Sequence, residues 1–181
     1  MTYRTNKNAL SRWKWKNRRA RKYVHFDERL GLKEVWHYIS NPENIEKHSF
    51  YPFIFFKMIQ TKYVVDENSK TASKKRIKKC KPRDIYYSAH TDRYVYSYYG
   101  HLLNQIYNQR VDADYTDNAS IAYRDNKEGM NNIHSARKAY DFIRKQDSCF
   151  VIIGDFNNFF DNLEHSYLKE RWLDLLDLLR N

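Results

Sequence analysis

Apolar residues recur at helical spacing through Tyr94, Val95, Tyr98, Tyr99, Leu102, Leu103 and Ile106, which predicts an amphipathic helix over 91–109 with its aromatics turned into a core. A second helix is expected over 131–145, after Gly129 breaks the chain. A third closes the sequence and carries an apolar stripe of Leu163, Leu168, Leu175, Leu176 and Leu179. Asn41-Pro42 pairs a capping residue with proline at the first helical position, so a short helix starts near Glu43. Runs rich in β-branched and aromatic residues at Tyr63–Val65, Arg76–Ile77, Ile85–Tyr87 and Ile121–Arg124 predict strands, with a polar turn from Asp66 to Lys74 between the first two. The segment 11–24 is basic and only weakly helical, and its Trp13 and Trp15 stand two apart rather than on one helical face.

One more strand matters for chemistry. Val151-Ile152-Ile153-Gly154 is an apolar run that stops at Asp155 and gives way to Phe156-Asn157-Asn158-Phe159-Phe160-Asp161 and then to helix-like sequence. A short strand that ends in a carboxylate and turns tightly brings an oxygen ligand and backbone groups together, which suits Mg²⁺ on a nucleoside triphosphate. Taken alone, an aspartate at such a position also reads as a helix cap.

Charge sharpens the picture. The chain of 181 residues carries a net charge of +11. The first 33 residues hold eleven Lys or Arg against Asp27 and Glu28, and 70–83 holds eight with no acid, so the remainder is net acidic. Two basic segments on an acidic body suggest two phosphate-contacting surfaces; within the second, Lys74, Lys75, Arg76, Lys78, Lys79 and Lys81 are the candidate nucleic-acid contacts. A solvated tail and a solvated turn are the plainer reading of the same charges. With 41% hydrophobic residues and only 4 glycines, global disorder is excluded. Cys80 and Cys149 lack metal-ligand spacing and imply no disulfide framework, which fits a reducing, cytoplasmic setting. The longest apolar stretch near the start, 50–56, falls far short of the ~18 residues that span a bilayer, so no membrane association is expected.

Three blocks, in order, resemble the bacterial reverse transcriptases, in particular the defence and abortive-infection branch. Lys81-Pro82-Arg83-Asp84-Ile85-Tyr86-Tyr87-Ser88-Ala89-His90-Thr91-Asp92-Arg93 is similar to the first fingers motif, Ser120-Ile121-Ala122-Tyr123-Arg124 to the second, and Asp155 to His165 to the first palm motif. The resemblance covers 51–176. It implies an incomplete α+β fold: a basic helical N-terminal extension over 1–50, fingers over 51–148 and the start of a palm, its first strand and helix, over 149–181.

The resemblance also implies roles. Asp155 would be the catalytic aspartate and first metal ligand, and Phe156 would offer its backbone carbonyl to the second Mg²⁺. Asn158 and Phe159 would offer N–H groups to the triphosphate, and Phe160 would sit beneath the sugar as a gate against a 2′-hydroxyl. Arg124, with Arg83 as a weaker partner, would contact the incoming dNTP, since a guanidinium stays charged and donates bidentately to phosphate. Implied partners are an RNA template, a primer and dNTP. The family closes its metal site with a second palm motif, an aromatic, one residue and two aspartates. No Asp-Asp pair occurs in this chain. The expectation is therefore half of an active site, inactive alone, whose remaining palm and thumb come from further polypeptide.

Two other readings compete. A non-catalytic RNA-binding subunit would use the basic segments alone. Gly154-Asp155-Phe156-Asn157 also matches a string of the DNase-like phosphodiesterases, but that fold needs a late Ser-Asp-His, which this chain lacks.

Overall fold

A computed structural model of the protein describes residues 7–65, 76–124, 126–127 and 129–177. The chain is α+β. Its elements are α1 (Lys7–Asn17), α2 (Leu32–Ile39), α3 (Pro42–Glu46), β1 (Ile54–Val65), β2 (Arg76–Tyr87), α4 (His90–Ala113), α5 (Asn132–Ile143) and α6 (His165–Asp177). They fall into two compact units, one of Ser11–Tyr98 and one of Tyr99–Asn181 with Met1–Leu10. None of the helices among the described residues is long and apolar enough to cross a membrane.

In the first unit, α2 buries Leu32, Val35 and Ile39, one helical face at spacings of three and four. Asn41 caps α3, its side chain accepting from the Glu43 N–H at 3.0 Å, as the Asn-Pro pair predicts. Trp13 resolves the ambiguity of the basic segment. Its ring is buried against Trp36 and Tyr98, and its indole N–H donates to the Ser97 carbonyl and hydroxyl at 3.2 and 3.1 Å. Trp15, two residues on, is exposed, as two-residue spacing on a helix requires. Helix α1 ends at Asn17, so the stretch toward Val24 is not helical.

The start of α4 is the most heavily tied point of this unit. Asp27 accepts from the N–H groups of His90 and Thr91 at 2.7 and 3.3 Å, supplying from outside the helix the acceptor that its first turn needs. Asp92 is 1% exposed, and its two oxygens accept from His48 Nε2 and from the Tyr51 N–H, each at 2.9 Å. His48 Nδ1 lies 2.8 Å from the Tyr38 hydroxyl. Burial pushes the His90 imidazole below its ordinary pKa, so the ring is held neutral against Tyr23.

Strands β1 and β2 form one antiparallel hairpin, paired from Ile54 with Tyr87 to Val65 with Arg76. Three short strands were expected here; one continuous ladder is found. The expected polar turn from Asp66 to Lys74 lies outside the described residues.

Helix α4 buries Tyr94, Val95, Ile106 and Val111, whereas Tyr98, Tyr99, Leu102 and Leu103 of the expected stripe are half-buried, so the stripe is core only in part. Helix α5 starts at Asn131, whose side chain accepts from the Ile133 and His134 N–H groups at 3.0 and 3.1 Å. Two expected strands are not strands. Ile121–Arg124 is a turn in which Tyr123 takes a φ of 56°, a left-handed conformation no strand admits. Val151–Ile153 is irregular and pairs with no strand among the described residues, so it is not a strand; Phe150, Ile152 and Ile153 are fully or almost fully exposed. A strand needs a ladder partner for its N–H and C=O groups, and none of the described elements provides one.

Candidate functional site

Asp155 follows this uncovered apolar run directly. It is exposed, and the chain turns immediately behind it: Asn158 adopts a φ of 50°, and Phe160–Asn162 forms a single 3₁₀ turn. Asparagine visits the left-handed region more readily than most residues, and the turn is closed by the Asn158 backbone carbonyl, which accepts from the Asp161 and Asn162 N–H groups. The turn gathers Phe156, Phe159 and Phe160 into one aromatic group, with ring separations of 5.8 and 5.3 Å. Phe160 is exposed rather than core. Among the described residues no group of three or more His, Cys, Asp or Glu converges on a metal position. Asp155 therefore offers one carboxylate at a tight turn. That donor set suits a single shared ligand position for Mg²⁺, which takes one or two carboxylates together with substrate phosphates, and is too small to hold a pair of ions by itself.

Arg124 is bonded throughout. Its side chain is fully buried: Nε donates to Asn108 Oδ1, one terminal nitrogen to the Ser120 carbonyl at 2.9 Å, and the other to Asp117 at 2.7 Å. Asp117 also accepts from Lys127. Lys127 and then Arg124 hold the Asp117 carboxyl below the ordinary carboxylate range. The surrounding segment is pinned to α4 by Asn104, which donates to the Tyr123 carbonyl, and by the Tyr107 and Ser120 hydroxyls at 2.8 Å. A cavity of about 780 Å³ opens beside this cluster, lined in part by Asp117, Tyr123, Arg124, Lys127, Lys138 and Phe142. Asp117, Asn108 and Lys127 are site residues that the sequence reading misses, because nothing in local spacing marks a carboxylate seven residues before an arginine as its partner.

Arg83 lies on β2 in the other unit, exposed, its Nε donating to Gln60 at 3.2 Å. The hairpin register sorts the basic residues by face. Directly paired residues share a face and neighbours alternate, so the pairs Met58 with Arg83, Gln60 with Lys81 and Lys62 with Lys79 lie side by side. That puts Lys62, Lys79, Lys81 and Arg83 on one face, which carries no carboxylate among its described residues. Arg76 and Lys78 lie on the opposite face, where Lys57 pairs with Asp84 at 3.8 Å. Lys74 and Lys75 lie outside the described residues. Lys62 joins the basic face only through the register.

Four cations on one face, with no ion pair among the described residues, set a measurable expectation. Binding to single-stranded RNA should weaken with salt at a log–log slope of about −3 from this face alone, since each neutralised phosphate contributes about −0.7. Replacing Lys79 and Lys81 by Gln should flatten that slope by about 1.4, read by fluorescence anisotropy across a salt series; an unchanged slope would place the contacts elsewhere.

No protein-family model matches the chain, and no curated protein matches it.

Proposed function

We propose that this chain is the N-terminal part of an RNA-directed DNA polymerase similar to the bacterial reverse transcriptases, comprising the fingers and the first palm motif. The observation that carries the reading is the state of 150–160: an exposed apolar run ending in the exposed Asp155, with a left-handed turn behind it. An apolar run with both faces uncovered is costly in water, at roughly 25 cal/mol per Å² of apolar surface. A palm sheet completed by further polypeptide would cover it and would bring the missing carboxylates to Asp155.

Bound Mg²⁺ would neutralise phosphate charge and align a 3′-hydroxyl with the α-phosphate. The chain's own groups have simpler tasks. Asp155 and the Phe156 carbonyl hold the metal position, the N–H groups of Asn158 and Phe159 donate to the triphosphate, and Arg124 answers its charge. The basic hairpin face tracks the nucleic-acid backbone. With one carboxylate, the 181-residue chain alone performs no templated synthesis. An RNA-binding subunit without catalysis is the second reading; the carboxylate-free hairpin face supports it equally, and it gives Asp155 no task.

Phe160 tests the polymerase reading. In an enzyme completed with its remaining palm, Phe160→Ala should raise ribonucleotide use relative to deoxynucleotide by roughly tenfold or more, since a clash worth about 1.4 kcal/mol already gives a factor of ten. Single-nucleotide incorporation with matched dNTP and rNTP reads the ratio. An unchanged ratio removes Phe160 from the sugar site.

A further inference from the structure

The Arg124 cluster is arranged as a site already filled from within. Arg124 is fully buried, Lys127 is 23% exposed, and Asp117, the anion between them, is the most solvent-facing of the three at 36%. The adjoining cavity presents Lys127 and Lys138 together with the apolar Phe142 and Tyr123. Among its described lining residues Asp117 is the only carboxylate.

We propose that Asp117 is an internal stand-in for a phosphate group: it holds Arg124 and Lys127 until a polyphosphate displaces it, so these two cations are latched in the absence of nucleotide. The inference rests on the reading of Arg124 as a triphosphate contact. Its physical basis is an exchange of anions. The carboxylate brings one negative charge and gives one oxygen to each cation. A terminal phosphate brings three acceptor oxygens and more charge, so it holds the same two donors more strongly. A singly charged anion gains little over the tethered carboxylate, which is always present at high local concentration. The latch therefore discriminates by charge number, and any ligand that binds must first overcome the fraction of molecules in which Asp117 is seated.

The test uses inorganic tripolyphosphate without metal, titrated calorimetrically into the full chain. Asp117→Asn removes the competing charge while keeping the side chain's shape, and should tighten tripolyphosphate binding about tenfold. Adding Lys127→Gln to that variant, at the partly exposed end of the cluster, should remove most of the gain. Equal affinity in wild type and Asp117→Asn, or a gain that survives Lys127→Gln, overturns the latch. If Asp117→Asn fails to fold, the wild-type protein answers instead: the Asp117 side-chain carboxyl carbon, followed by NMR, should titrate closer to the ordinary carboxylate range when tripolyphosphate is saturating. Binding that leaves this titration unmoved, or no binding, overturns the proposal. The polymerase reading fails separately. A completed enzyme that incorporates deoxynucleotides without any Asp117 effect keeps that reading and loses the latch; tighter tripolyphosphate binding in Asp117→Asn with no incorporation by the completed enzyme does the reverse.

Discussion

Asp155→Ala, placed in a polypeptide that carries this chain together with the remaining palm, is expected to reduce nucleotide incorporation by about 10³-fold or more, the scale on which single charge-stabilising groups act in phosphoryl transfer. The reason is the shortage of ligands. Among the described residues Asp155 belongs to no group of three or more potential metal ligands, so the loss of its oxygen is not made good by a ready-made cluster. The same variant should bind RNA almost as wild type does, because the cations of the hairpin lie in the other compact unit. Its folding should also be unaffected, since Asp155 is exposed and makes no ion pair among the described residues. Equal loss of incorporation and RNA binding would indicate misfolding rather than a missing metal ligand.

The second large effect concerns stability. Asp92→Ala should destabilise the first unit by about 3 kcal/mol, because two donors that it satisfies are left without an acceptor at about 1–3 kcal/mol each. Three losses combine. His48 Nε2 loses its acceptor, the Tyr51 N–H loses its partner, and the first turn of α4 loses an acidic side chain favourable to its dipole. For a domain whose whole stability is of order 5–15 kcal/mol this is a large share, and the melting temperature should fall by about 10 °C. Asp92→Asn, which keeps an acceptor, should fall between the two. Circular dichroism melts of the three proteins give the order, and an Asp92→Ala melt equal to wild type would mean that the His48–Asp92–Tyr51 junction contributes nothing.

Local signals were legible and long-range ones were not. The Asn41-Pro42 cap, the α4 stripe and the start of α5 at Asn131 could be read because capping and helical periodicity depend on residues within a few positions of each other. The α4 stripe predicts 91–109, and the helix runs His90–Ala113, the usual uncertainty of ends. The hairpin was only partly legible. Its middle, Lys57–Lys62 against Lys79–Asp84, is exposed on both faces and so lacks the alternation of apolar and polar residues that marks a half-buried strand. Ile121–Arg124 has strand composition, but Tyr123 turns left-handed and the segment closes onto α4 through Asn104 and Tyr107. The candidate site divides in the same way. Asp155 and the aromatic turn behind it are contiguous and stood out in the sequence. Arg124 was visible as a cation, whereas its bonds to Asp117 and Asn108 depend on how the intervening loop closes. The pairing of His48 with Asp92 spans 44 positions, and no local pattern signals it.

The most direct measurement is primer extension by the native gene product on an RNA template with a DNA primer, dNTP and Mg²⁺, run beside the 181-residue chain. Template-dependent deoxynucleotide addition is expected from a product that carries an aromatic-x-Asp-Asp motif beyond residue 181, and none from the chain alone. Extension by the 181-residue chain alone, or none by a native product in which that second motif is present, would contradict this expectation.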